Sequence, residues 1–177
     1  PHPYRNYSIF VAEVASTCNE ALLNDYLLKT IDDEQTRIYL LNHYLEGFRG
    51  TVFRQTMFAE YEHIIHQKAQ NNEALTADSL TSEYYALNKK YFGDEDIVID
   101  EEIGLEWARI PHFYYNYYVY QYATGYSAGT ALSNQILEEA QPGVDRYLEF
   151  LKAGSSDYPI EVLKKAGVDM TSSTPIE

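Results

Sequence analysis

The stretch IFVAEVASTCNEALLNDYLL, residues 9–28, is almost wholly apolar, yet it carries two glutamates. Its alanine, leucine and glutamate content favours an α-helix, in which successive residues advance by about 100° around the axis. The polar side chains then share one narrow face, formed by Glu13, Ser16, Thr17, Glu20 and Asn24. Apolar residues surround that face, so the pattern predicts a helix that is buried nearly all round. A buried carboxylate is costly unless it is paired, hydrogen-bonded or bound to a metal, which makes this face a candidate site.

The glutamates on this face also have a structural interpretation. Glu13 could form an ion pair with an arginine from elsewhere in the fold, such as Arg5 or Arg49. Structural ion pairs perturb carboxylates as functional sites do, so the helix alone does not decide between the two interpretations.

Four separated stretches point to one family. In chain order they are FVAEVAST followed by NEALL (10–23), VFRQTMFAEYEH (52–63), ARIPHFYYNYYVYQYATGYSAG (108–129) and SSDYPIEVLKKAGVDM (155–170). Together they resemble the oligoendopeptidase F branch of the thimet-oligopeptidase-type zinc metallopeptidases. The resemblance implies an all-α fold, the helical C-terminal portion of a zincin-like oligopeptidase catalytic domain. It also implies that Glu13 is a zinc ligand, with Ser16 and Glu20 supporting it from the same helix face.

One feature of that family is missing from the sequence. The catalytic H-E-x-x-H helix, which carries two zinc-binding histidines and the general-base glutamate, does not occur, and His63-Ile64-Ile65-His66 has the wrong spacing and no glutamate between the histidines. The resemblance therefore implies that two further zinc ligands lie outside this chain, in sequence preceding Pro1. We expect residues 1–177 alone to be inactive, to hold no stoichiometric zinc and to self-associate through an exposed apolar patch.

Tyrosines crowd the third of these stretches. Residues 112–126 contain seven of them: Tyr114, Tyr115, Tyr117, Tyr118, Tyr120, Tyr122 and Tyr126. The structural interpretation is an aromatic-rich core segment whose hydroxyls reach the surface. The resemblance implies instead that His112 and some of the tyrosines line a peptide cleft, where neutral donors stabilise the oxyanion that develops during peptide hydrolysis. The candidates are His112, Tyr117, Tyr118 and Tyr120, and two registers remain open, Tyr115 with Tyr118 or Tyr117 with Tyr120.

Composition restricts the class of protein. A length of 177 residues with 45% hydrophobic content is enough for a globular core. A formal net charge of -14 repels a phosphate backbone, so nucleic acid is not an expected partner. The lone Cys18 cannot form an internal disulfide and no signal peptide is visible, which together favour the cytoplasm. Residues 110–137 lack Asp, Glu, Lys and Arg, but they are too polar for a membrane span.

Periodicity and capping residues predict the remaining elements. Further helices are expected from Asp32 onward, over 51–70, over 78–92, within 112–139 after a turn, over 144–152 after a break at Pro142 and Gly143, and over 159–166. The acidic run 94–96 and the following loop are expected to bring Trp107 against the core. One helical domain, residues 1–170, would precede a loose tail, residues 171–177. The alternative to a peptidase is a non-catalytic helical module that holds a peptide without cutting it.

Overall fold

A computed structural model describes residues 2–93, 95 and 97–177, and within these the secondary structure is helical, with no strand. The α-helices are α1 (Ile9–Thr30), α2 (Glu34–Phe48), α3 (Arg54–Gln70), α4 (Ala77–Phe92), α5 (Tyr120–Glu139), α6 (Gln141–Ala153) and α7 (Pro159–Lys165). A π-helical turn covers Arg49–Phe53, and 3-10 segments cover His2–Tyr4, Glu101–Arg109 and Pro111–Tyr114. The predicted all-α fold is confirmed.

The chain divides into two compact units. The α1 unit comprises the residues up to Phe48 together with Gln121–Glu177, and the α3 unit comprises Arg49–Tyr120. The expectation of a single domain over residues 1–170, with a loose tail at 171–177, stays a prediction. Among the described residues, no helix is both long enough and apolar enough to cross a membrane.

The core of the α1 unit is an apolar cluster to which α1 contributes the side chains of one face. Its buried members are Val11, Val14, Cys18, Ala128, Leu132, Tyr147, Phe150, Val162, Leu163, Ala166 and Val168. The prediction that α1 is buried nearly all round is wrong, because Leu23 and Tyr26 are 56% and 62% exposed and both glutamates of the polar face are exposed. Only the stripe that meets α5, α6 and α7 loses contact with water.

Two glycines bring α5 against the helix that carries Glu13. A Cβ atom added at Gly129 would lie 2.8 Å from Thr17 Cβ and 2.9 Å from the Val14 carbonyl oxygen, which is closer than real side chains approach. One turn earlier, a Cβ atom at Gly125 would lie 3.4 Å from Glu13 Cβ. The backbones of α1 and α5 are therefore in close contact beside the candidate site.

Gly129→Ala should destabilise the chain. We expect the free energy of unfolding to fall by about 1–3 kcal/mol, because the added methyl group overpacks the contact with Thr17. Gly47→Ala is the matched control, since nothing lies within 4 Å of that position in α2, and it should raise stability by about 0.5–1 kcal/mol. Urea unfolding of both variants measures the difference. Equal effects from the two substitutions would contradict the close contact.

The core of the α3 unit joins α3, α4 and the segment that follows them. Its buried apolar members are Met57, Phe58, Tyr61, Tyr84, Leu87, Ile110 and Val119. Trp107 packs against this cluster and its indole donates to Thr81 Oγ1 at 3.3 Å, so its predicted contact with the core is confirmed. Of the acidic run 94–96, Asp94 and Asp96 lie outside the described residues.

Three predicted helix boundaries differ from the structure for local reasons. Asp33, not Asp32, caps α2 by accepting the Thr36 N–H at 2.8 Å. Thr76 caps α4 in a reciprocal pair with Ser79, so that helix begins before Asp78. The break between α5 and α6 lies at Ala140, which has a φ of 57°, and Pro142 lies in the first turn of α6. A proline is tolerated there because its missing N–H has no partner to lose.

Candidate active site

Glu13 and Ser16 form a hydrogen-bonded pair on the exposed face of α1. Ser16 Oγ lies 3.0 Å from Glu13 Oε2 and 3.0 Å from the Glu13 carbonyl oxygen, so the hydroxyl can donate to either. Residues at i and i+3 face the same side of a helix, which is why the sequence brings these two together. The carboxylate is consequently oriented by a neighbour while it stays accessible from solvent.

Glu20 lies further along the same face. Seven residues at 1.5 Å each place it about 10 Å along the axis from Glu13. Its side chain lines a cavity of about 280 Å³ within the α1 unit, together with His43, Tyr44 and Tyr126. Burial, followed by the influence of Tyr44 and Glu20, raises the pKa of Tyr126 to about 12. That phenol therefore stays protonated at neutral pH and can serve as a hydrogen-bond donor.

The tyrosine segment contains an irregular stretch, residues 115–119, between a short 3-10 segment and α5. His112 belongs to the 3-10 segment Pro111–Tyr114, an irregular stretch follows, and α5 begins only at Tyr120. The His112 and Tyr118 rings are stacked with centroids 5.9 Å apart, and the Tyr115 ring lies 5.9 Å from the Tyr118 ring. Tyr115 and Tyr118 thus share a contact.

Tyr117 and Tyr120 differ from Tyr118 in exposure. Their side chains are 38% and 41% exposed, whereas Tyr118 is partly buried against the core of the α3 unit. The Tyr117 ring packs on His66, with centroids 4.6 Å apart. Tyr118 is therefore placed to hold the imidazole of His112, whereas the side chains of Tyr117 and Tyr120 are partly open to solvent. The roles given to these four residues stay predictions.

Glu62 is a buried carboxylate that the sequence analysis did not single out. It is 1% exposed, and its Oε1 accepts the backbone N–H of Tyr117 at 2.6 Å. Its other oxygen, Oε2, has no hydrogen-bond partner among the described residues. A signal existed in the sequence, because Glu62 lies four residues after Phe58 and so falls on the same, buried face of α3.

Glu106 is a second buried carboxylate, and it is fully engaged. Arg54 donates to its Oε1 at 2.6 Å, Tyr84 donates to its Oε2 at 2.7 Å, and Arg109 also bonds to Oε1. Burial alone would raise the pKa of this carboxyl, but the hydrogen bonds from Tyr84 and Arg54 and the arginine charges lower the pKa overall. The network fastens the 3-10 segment that precedes His112 onto α3 and α4.

Glu106→Gln should lower the free energy of unfolding by about 1.5–3 kcal/mol at neutral pH, the usual contribution of hydrogen bonds to a charged group. Because the folded pKa lies below the unfolded one, this stability is present above about pH 4.3 and is lost as the pH falls through the folded pKa. The difference from wild type should therefore shrink at about pH 3.

Unfolding midpoints at the two pH values test this. Glu149→Gln is the control, because Glu149 forms an exposed pair with Lys152, and it should change stability by less than about 0.5 kcal/mol. A difference between Glu106→Gln and wild type that does not depend on pH would contradict the lowered pKa.

Comparison with known protein families identifies the family of this chain. A model of peptidase family M3 matches residues 1–177, the whole of the sequence. The chain belongs to peptidase family M3.

Members of this family are closely similar to the chain over its full length. It is 75% identical to the oligopeptidase PepF of Bacillus subtilis over 177 residues, covering 100% of this chain and 26% of that protein. It is 53% identical to the group B oligopeptidase PepB of Streptococcus agalactiae, covering 98% of this chain and 29% of that protein. The resemblance to oligoendopeptidase F is confirmed.

Solved structures agree with this membership. The crystal structure of oligoendopeptidase-F from Enterococcus faecium superposes with a TM-score of 0.89 at 54% identity, covering 96% of this chain and 32% of that one. A putative peptidase from Chlamydophila abortus gives a TM-score of 0.92 at 45% identity, covering 99% of this chain and 29% of that one. The chain thus spans less than a third of the length of these relatives.

Membership of family M3 implies a metal, typically zinc. The Glu13 carboxylate has the chemistry of a metal ligand, because it is accessible and is hydrogen-bonded to the Ser16 hydroxyl. Carboxylates that bind metals are usually oriented by such a second hydrogen bond. Within residues 2–93, 95 and 97–177, no group of three or more His, Cys, Asp or Glu side chains is arranged to hold a metal ion. Catalytic zinc takes three protein ligands, and the described residues do not by themselves bring three together.

Proposed function

We propose that this chain is the C-terminal part of the catalytic domain of a zinc-dependent oligoendopeptidase that hydrolyses short peptides. The observation that carries the proposal is the accessible Glu13 carboxylate, held by Ser16, in a chain that belongs throughout to family M3. Glu13 would hold the zinc with two histidines from sequence outside this chain. When bound, zinc polarises the peptide carbonyl as a Lewis acid.

The α3 unit would supply the groups that act on the substrate. His112 is held by stacking on Tyr118 and can donate a hydrogen bond to the peptide oxygen that gains charge. Tyr117 and Tyr120 are 38% and 41% exposed, and a tyrosine hydroxyl can donate a hydrogen bond. On the α1 unit, Ser16 orients Glu13, and Glu20 contributes negative charge beside the cavity that it lines.

The apolar surface of α2 supports the proposed partner, the remainder of the catalytic domain. None of the α2 residues is buried. Its large exposed apolar side chains are Ile38, Tyr39, Leu41, Tyr44, Leu45 and Phe48. Surfaces of this kind mark interaction sites, so the chain alone should self-associate. The net charge of -14 favours cationic over anionic peptides and disfavours nucleic acid, and the cytoplasm is the proposed compartment, with no membrane partner.

Comparison of the complete protein with residues 1–177 tests the proposal. The complete protein should cleave a quenched-fluorescence peptide, lose that activity to a chelator and regain it with added zinc. Residues 1–177 should be helical by circular dichroism, should carry no stoichiometric zinc and should cleave nothing. Metal-dependent turnover by residues 1–177 would contradict the proposed ligand set. Peptide binding without cleavage by the complete protein would favour the non-catalytic binding module.

A further inference from the structure

The loop that carries Tyr117 has an unusual backbone. Asn116 and Tyr117 have φ angles of 23° and 55°, in the left-handed region that residues with side chains seldom adopt. The conformation is sparsely populated even for asparagine and more so for a bulky aromatic residue. Such a conformation persists only when the surrounding structure determines it, so something must hold these two residues in place.

The group that holds them is the buried carboxylate of Glu62. Its Oε1 accepts the Tyr117 N–H at 2.6 Å, and this contact joins α3 to a residue 55 positions further along the chain. A carboxylate acceptor makes a stronger hydrogen bond than a neutral one, especially away from water. From the same face of α3, His66 packs on the Tyr117 ring. Backbone and ring of Tyr117 are thus both fixed by α3.

Stability alone is a poor explanation for Glu62. A carboxylate that is 1% exposed and leaves Oε2 without a partner among the described residues is expensive to bury. An apolar residue would fill the same place in the cluster of Met57, Phe58 and Tyr61 at lower cost. Glu106 shows the contrast, because both of its oxygens are engaged by hydrogen-bond donors. The hydrogen bond that Glu62 Oε1 accepts comes from the strained loop, from the N–H of Tyr117.

We infer that Glu62 is a positioning residue for the proposed active site. Its carboxylate holds the Asn116–Tyr117 backbone in the left-handed conformation and thereby sets the direction in which the Tyr117 phenol points. The expected effect on catalysis rests on the proposed function. The contact between Glu62 and the Tyr117 backbone is independent of it, because it is seen within the α3 unit. Glu62 acts through Tyr117 and does not itself touch the substrate.

Three variants of the complete protein test the inference. Glu62→Leu removes the acceptor, and Glu62→Gln keeps one neutral acceptor oxygen in nearly the same shape. Glu60→Gln is the matched control, because Glu60 lies on the same helix but bonds to Lys90 and Tyr91 of α4. Each variant is compared with wild type by amide hydrogen exchange of a peptide spanning residues 113–120, by thermal midpoint, and by kcat and KM on a quenched peptide.

We expect Glu62→Leu to accelerate exchange of the Tyr117 amide by about 10- to 100-fold, as loss of a hydrogen bond to a charged group predicts. Its kcat should fall by up to about 100-fold with little change in KM, because a misdirected donor affects the reacting geometry. Glu62→Gln should lie between Glu62→Leu and wild type in both measurements. Glu60→Gln should leave the Tyr117 amide and kcat unchanged.

Unchanged exchange at the Tyr117 amide in the Glu62 variants would overturn the inference. So would a kcat that falls only in proportion to the thermal midpoint. If Glu62→Leu fails to fold, Glu62→Gln decides, since it preserves volume and polarity. A wild-type protein that cleaves no peptide would refute the proposed function, and the exchange measurement would still report whether Glu62 holds the loop.

Discussion

In the complete protein, Glu13→Gln is expected to abolish peptide hydrolysis and to weaken zinc binding by more than about 100-fold, since losing even an outer-shell partner of a metal ligand costs 10- to 100-fold. Glutamine has nearly the same shape as glutamate, but its neutral amide is a poor ligand for zinc. The side chain is exposed, and its hydrogen bond in the structure is a local one with Ser16. The thermal midpoint of residues 1–177 should therefore change little.

Zinc content, cleavage and the thermal midpoint are to be measured on the same preparations. Ser16→Ala should weaken zinc binding less than Glu13→Gln does, because it removes only the orienting hydroxyl. Glu138→Gln, an exposed glutamate in α5, is the matched control and should behave as wild type. Full activity in Glu13→Gln would remove this residue from the metal site.

His112→Ala should lower kcat by about 10²- to 10³-fold, the usual cost of one donor to a developing oxyanion. Tyr117→Phe and Tyr120→Phe each remove one hydroxyl group from an exposed ring. If that hydroxyl donates to the oxyanion, kcat should fall by a factor in the same range. Tyr118→Phe should cost less, because phenylalanine keeps the stacking that holds the His112 ring.

Tyr114→Phe provides the control for these substitutions. Tyr114 lies in the same segment and is 87% exposed, so its hydroxyl should matter little to either turnover or stability. Turnover and thermal midpoint must be compared for each variant, because a structural role lowers both together. Parallel losses, with no excess effect on turnover, would assign His112 and the tyrosines to the core instead of the site.

Local sequence features predicted the parts of the molecule that depend on near neighbours. Helical periodicity predicted the individual helices of the all-α fold that the family resemblance implied, and the i, i+3 spacing placed Ser16 beside Glu13. The burial of α1 was overestimated because periodicity shows which residues are apolar but not how many partner surfaces exist. Leu23 and Tyr26 are apolar yet exposed, since only one stripe of the helix meets the core of its unit.

Features that depend on distant pairs could not be predicted in this way. The Glu62 contact spans 55 positions and the Arg54–Glu106 ion pair spans 52. No spacing rule within one helix connects such residues. The left-handed backbone at Asn116 and Tyr117 was equally hidden, because neither residue is glycine and the surrounding run of tyrosines favours regular structure.

Because of the close contact at Gly129, substitutions in the core can change the stability of the α1 unit without changing the position of Glu13. At this position α5 contacts the Val14 carbonyl oxygen and the Thr17 Cβ of α1. These atoms set the distance between the two helices, and substitutions at other core residues leave them in place. Exchanges among Val11, Cys18 and Leu132 can then alter stability by the usual cost of a changed core volume without shifting Glu13 along its axis. Substitutions in this core therefore leave the Glu13 carboxylate in the same position, provided that residue 129 remains glycine.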